Sequence, residues 1–90
     1  FSASLSNAGR YHIVHGNITC SIGTDSDMPV TIGAEYEFFQ SSSVGNFLFQ
    51  TGSGVSLFSK NDNRNIAGQY SGATLKKVAA NTFHLVGDLT

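Results

Sequence analysis

Apolar and polar residues alternate over short runs of this chain, and no long window repeats apolar positions at helical spacing. The apolar set is rich in β-branched and aromatic residues, and the runs end at Gly, Asn, Ser and Asp. This pattern predicts strands throughout. The first is Ala3 to Leu5, closed by a turn at Asn7-Ala8-Gly9, and Tyr11 to Val14 follows before a turn at His15-Gly16-Asn17. In Ile18 to Ile22 the residues Ile18, Cys20 and Ile22 share one face, with Thr19 and Ser21 opposite, so Cys20 should point inward. A loop from Gly23 to Pro29 leads to Val30–Gly33 and then to the most aromatic stretch, Ala34 to Gln40. There Tyr36 and Phe38 share a face and Phe39 takes the other. After a polar connector, Asn46 to Gln50 sets Phe47 and Phe49 together with Leu48 opposite. Thr51 to Gly54 is a turn, Val55 to Ser59 a strand, and Lys60 to Asn65 (KNDNRN) a polar loop. The C-terminal hairpin is the clearest element. Ala73 to Ala79 and Thr82 to Val86 flank Ala80-Asn81, and asparagine tolerates the positive φ of tight turns.

About eight short strands at close spacing predict an all-β fold. The expected form is a small antiparallel β-sandwich or barrel-like module, one domain over residues 1–90. A chain of 90 residues buries only roughly 60–65% of its unfolded surface, so its core stabilises it weakly. Cys20 is the only cysteine, so no disulfide forms within the chain. Packing against copies of itself, or attachment to a larger protein, is the expected source of further stability. The start at Phe1 reads as a processed product or as the C-terminal part of a longer protein.

Charge narrows the function. The net charge is −1 and only 12% of residues are charged, against about 25% in ordinary globular proteins. No basic patch is available for nucleic acid or an acidic membrane surface. No apolar run approaches the roughly 18 residues that signal a spanning helix.

The candidate chemistry is thin. Asp25-Ser26-Asp27 and Asn61-Asp62-Asn63 look like fragments of calcium loops but lack the further ligands at the right spacing, so solvated turns are expected. His12, His15 and His84 are expected as exposed strand residues, because His12 and His15 are oddly spaced and fall on opposite faces. Cys20 lies between isoleucines, where a thiolate is disfavoured, and reads as a small core hydrophobe. Thr51 to Val55 (TGSGV) is not a nucleophile elbow. Glu35 and Glu37 would lie about 6.6–7 Å apart on one strand face, which reads as a solvated face. No catalytic residue, metal ligand or cofactor site is assigned. Tyr11, Tyr36 and Tyr70 are able to stack on sugars or bases, but core or interface packing is the expected role for most of them. The candidate interface or partner-contact residues are Tyr36, Phe47, Phe49, Tyr70 and the loop residues Asn61, Asp62, Asn63 and Arg64.

From Gly54 onward the wording is specific: Gly54-Val55-Ser56-Leu57, Gly68-Gln69-Tyr70-Ser71, Ala73-Thr74-Leu75-Lys76-Lys77-Val78, Asn81-Thr82-Phe83 and Leu85-Val86-Gly87-Asp88-Leu89. These pieces resemble the small C-terminal β domain of tailed-phage fibre and virion decoration proteins. Leu5 to Arg10, Ile18 to Ile22, Pro29-Val30 with Ile32-Gly33, and Glu37 to Gln40 extend the resemblance more weakly. Phe83 stands where that family often has Trp, and Phe47 to Gln50 is more aromatic than the usual pattern. The resemblance implies a non-enzymatic virion component, assembled in the host bacterial cytoplasm and commonly a homotrimer. Its partners would be other virion proteins and a host surface glycan or receptor. The alternative class is a small carbohydrate- or lipid-binding module of a secreted bacterial protein.

Overall fold

The computed structural model describes residues 9–26, 30–43 and 46–90. Among them are seven strands: β1 (Tyr11–Val14), β2 (Ile18–Ile22), β3 (Glu35–Gln40), β4 (Phe47–Thr51), β5 (Ser56–Phe58), β6 (Gly72–Ala79) and β7 (Thr82–Gly87). The fold is all-β, as the alternation predicts. A large sheet has the order β1-β3-β6-β7-β5, and a small sheet pairs β2 with β4. They do not close into a barrel. The expected strand Ala3 to Leu5 lies outside the described residues.

Pairing is mixed rather than purely antiparallel. β6 runs antiparallel to both β3 and β7, whereas β1–β3, β2–β4 and β5–β7 are parallel. For β1–β3 and β2–β4 the cause lies in how the chain passes between the sheets. β1 runs on into β2 and β3 runs on into β4, so two ribbons leave the large sheet side by side and pair again, still parallel, in the small one. Hydrogen bonds hold them together at the crossing. Ser41 N–H donates to Val14 O at 2.9 Å, Asn46 N–H to Asn17 Oδ1 at 2.8 Å and Ile18 N–H to Asn46 O at 2.9 Å. Gln40 is buried there with both ends of its side-chain amide engaged. Its Oε1 accepts from the Gly16 and Ser42 amides at 3.2 and 3.0 Å, and its Nε2 donates to Gly16 O at 3.0 Å. A buried amide satisfied in this way adds order, whereas an unsatisfied one would cost about 1–3 kcal/mol.

The core lies between the sheets. Phe38 of β3 meets Phe47 and Phe49 of β4 with ring centroids 5.1 and 5.3 Å apart, and Tyr36, Leu75, Phe83 and Leu85 complete the inner face of the large sheet. Each such side chain contributes about 1.5–3 kcal/mol by leaving water. Cys20 is completely buried in this core, and burial pushes its thiol up to about 12, which fits the reading of a small hydrophobe. Along one side the sheets are joined by segment 64–67. Ile66 N–H donates to Phe47 O at 3.0 Å, and Thr90 N–H, at the end of the tail after β7, donates to Asn65 O at 2.8 Å.

The C-terminal hairpin forms as expected, with Asn81 at φ 54° and a bulge between Lys77 and Ala79. Val30–Gly33 departs from expectation. It is not extended into β3 but turns, with Gly33 at φ 98° and Ala34 N–H bonded to Thr31 O at 3.0 Å.

Candidate functional site

Alternation along β3 puts Tyr36, Phe38 and Gln40 inside and leaves Glu35, Glu37 and Phe39 on the outer face. The same rule turns Tyr11 and Ile13 of β1, Thr74 and Lys76 of β6, and His84 and Val86 of β7 outward. At one end this face is apolar. Tyr11 is 58% exposed, Ile13 68% and Val86 69%. The rings of Tyr11, Phe39 and Tyr70 form a row with centroids 6.3 and 6.0 Å apart, Phe39 and Tyr70 stacking at 21°. Between Tyr11, Phe39 and Val86 a groove of about 350 Å³ runs over Gly72 and Gly87, with Glu37 and Thr74 on its walls.

The glycine floor is a packing requirement. A Cβ at Gly72 would come 2.7 Å from Phe38 O, and one at Gly87 2.4 Å from Gly72 O. Only glycine lets the backbones of β3, β6 and β7 approach this closely, and the same lack of side chains leaves the hollow.

Tyr70 is held unusually. Its φ is 65°, a region that bulky residues avoid at a cost of about 1–2 kcal/mol. The hydrogen bond from its N–H to Gln40 O at 2.7 Å fixes this turn, and the ring is displayed at 69% exposure. An exposed aromatic on a strained backbone is the kind of feature found at contact sites.

At the other end the face is charged. Glu35 and Lys76 approach to 3.6 Å with both side chains about half exposed, and His84 meets the ring of Phe58 edge-on at 6.0 Å. Glu35 and Glu37 therefore share an exposed strand face, as the spacing predicts.

Of the candidate contact residues, Tyr36, Phe47 and Phe49 require correction. They are 0%, 0% and 1% exposed and lie in this chain's own core, so none of them offers surface to a partner. The aromatic density of β4 serves the contact between the sheets. Burial, helped by the neighbouring Cys20, pushes the Tyr36 phenol up to about 12. Tyr70 belongs to the outer face. Asn61 and Asp62 are exposed in a tight turn, each at φ 56°, and Asn63 is half-buried. Arg64 pins that loop, reaching Asp62 Oδ1 and Thr51 Oγ1 at 3.2 Å and Leu57 O at 3.4 Å. The loop is thus remote in role from the aromatic row, and its arginine is already engaged.

Asp25 is not a free turn residue. Its carboxylate lies 2.7 Å from the ammonium of Lys77, which is 3% exposed and also donates to Val30 O at 2.7 Å. Asp25 further exchanges backbone-to-side-chain hydrogen bonds with Asn81 at 2.7 and 3.1 Å. The Lys77 and Asn81 bonds hold the Asp25 carboxyl below the usual carboxylate range. This clamp ties the loop after β2 to the tip of the hairpin. Asp27 lies outside the described residues. His12 stacks on Phe38 at 5.2 Å, while His15 Nδ1 lies 3.2 Å from Ser41 Oγ at the exposed turn after β1. Among the described residues no group of three or more His, Cys, Asp and Glu side chains is placed to hold a metal.

Phe39 and Lys77 are the residues whose roles sequence reasoning left undeveloped. The signal was present in both cases. Phe38-Phe39 and Lys76-Lys77 are adjacent pairs on strands, so one member of each must face the wrong way for its polarity.

Compared with family models, with curated proteins and with solved structures, the chain matches none. Fold and surface together define a small all-β module whose large sheet, among the described residues, presents an exposed aromatic face.

Proposed function

We propose that the chain is a non-enzymatic structural module of a bacteriophage virion, at a tail-fibre tip or as a capsid decoration. It works by association with copies of itself, with other virion proteins and with the host surface. The observation that carries this reading is the exposed apolar end of the large sheet among the described residues, where Tyr70 is displayed on strained backbone beside Phe39 and Tyr11. A contiguous exposed apolar patch on a small domain marks a contact surface. The wording from Gly68 to Leu89, which resembles phage fibre and decoration domains, supplies the context. Immunogold labelling with antibodies to the chain tests it, using particles released by cells that carry the gene. Gold on tails or capsids supports the reading, and label confined to non-particle fractions rejects it.

A second reading draws on the same aromatic row. Rings beside the Glu37 carboxylate and the Thr74 hydroxyl suit a sugar, and a secreted carbohydrate-binding module would use them so. Saturable signal on a glycan array, lost in Tyr70→Ala, favours it.

A further inference from the structure

The register across the large sheet says what fits its outer face. On that face Phe39 of β3 lies beside Gly72 of β6, Glu37 beside Thr74 and Glu35 beside Lys76. In every row β3 carries the larger or acidic residue, and β6 carries the smaller or basic one. Consider a two-fold axis parallel to the strands, midway between β3 and β6 and just above the sheet. Half a turn about it sets β3 of one copy over β6 of the other with no shift along the strands. Phe39 of each copy then stands over the glycine floor of the other, and Glu35 stands over Lys76. Tyr11 of β1 faces Val86 of β7, its counterpart in the same row with β3 and β6 between them. One operation matches shape in the Phe39–Gly72 row and charge in the Glu35–Lys76 row, and it sets the Glu37 carboxylate over the Thr74 hydroxyl.

We propose that this face pairs with a second copy of the chain, face to face, about that two-fold axis. The proposal rests on the self-association reading above and assigns it a surface and a symmetry. Glu35 and Lys76 are each about half exposed while paired at 3.6 Å, so each has an open side for a second ion pair. Two copies close a four-member charged cluster at one end of the interface and a set of aromatic-on-glycine contacts at the other. Tyr11, Ile13, Tyr70 and Val86, all more than half exposed in the single chain, leave water. Such an interface uses the same patch on both copies and closes on itself, so it does not propagate into fibres. Facing sheets accommodate the natural twist by crossing at about 30°.

The test is the mass of the purified chain in solution, by light scattering and sedimentation from micromolar to millimolar concentration. A dimer is expected, with its dissociation constant raised at least about tenfold in Val86→Lys. The decisive variants are Glu35→Lys and Lys76→Glu. Each alone places like charges across the axis and should be monomeric, with far-UV circular dichroism showing that it is folded. An equimolar mixture restores every opposition and should form a heterodimer. A monomeric wild type, a trimer of the kind the resemblance implies, or a mixture that stays monomeric overturns the two-fold pairing. None of these results bears on the particle labelling, so the pairing and the virion reading fail separately.

Discussion

The two faces of the large sheet are built from the same strands and carry similar aromatic content, yet they have opposite roles. Inside, Phe38 is covered by Phe47 and Phe49. Outside, its neighbour Phe39 packs against the exposed rings of Tyr11 and Tyr70. The same contrast holds for the lysines of β6, since Lys77 is buried and clamped while Lys76 is exposed and loosely paired. A side chain's role here is set by which face it occupies and by what covers that face. Hydrophobicity alone does not set it.

Substitutions at adjacent positions can break or sharpen that contrast. The largest expected effect is at Phe38. Phe38→Ala should cost about 3–5 kcal/mol in urea unfolding, a large part of the stability of so small a domain, whereas Phe39→Ala should cost under about 1 kcal/mol in the single chain. Equal costs would mean that the outer face is covered in the single chain. Next is Lys77→Ala. It removes a buried stem and leaves Val30 O without this donor, and the partly exposed Asp25 can rehydrate, so about 2 kcal/mol is expected. Lys76→Ala should stay within about 0.5 kcal/mol, as exposed ion pairs do. Gln40→Leu keeps the volume but strips two amides and a carbonyl of partners, and about 1–3 kcal/mol should be lost by the same assay.

Acid should act through the clamp. A carboxyl held below its ordinary value of 3.8 contributes stability that is complete above that value and lost as pH falls through its folded-state value. The urea midpoint should therefore fall as the pH drops below about 4. Asp25→Asn should flatten that part of the profile, and an unchanged profile would remove the clamp from the explanation. The smallest effect is chemical. Cys20 should resist a thiol reagent in native buffer and react once urea opens the core.

Much of this was legible in the sequence. Strict alternation in β2, β3 and β7 named most of the inner face, and Ala80-Asn81 located the hairpin turn. Period-two patterning is the same for parallel and antiparallel neighbours, however, so the mixed pairing could not be read from it. Nor does alternation identify partners distant in sequence. The adjacent pair Lys76-Lys77 turns one lysine inward, but the groups that satisfy Lys77, Asp25 and Val30, lie far upstream. Phe47 and Phe49 looked like contact residues because aromatic density marks both cores and interfaces. Only the position of the small sheet, over Phe38, decides between the two.

The paired crossing of the ribbons also bears on how the chain folds. The hydrogen bonds that fix it join residues 24 to 29 positions apart, whereas the β6–β7 hairpin closes over a two-residue turn at Ala80-Asn81. Loop-closure entropy makes the hairpin the earliest available nucleus and the parallel ribbons the late step. Until that step is complete, both Phe38 and the β4 aromatics stand open to solvent. The interval of greatest aggregation risk for this molecule is therefore the wait for its N-terminal half to thread beside itself.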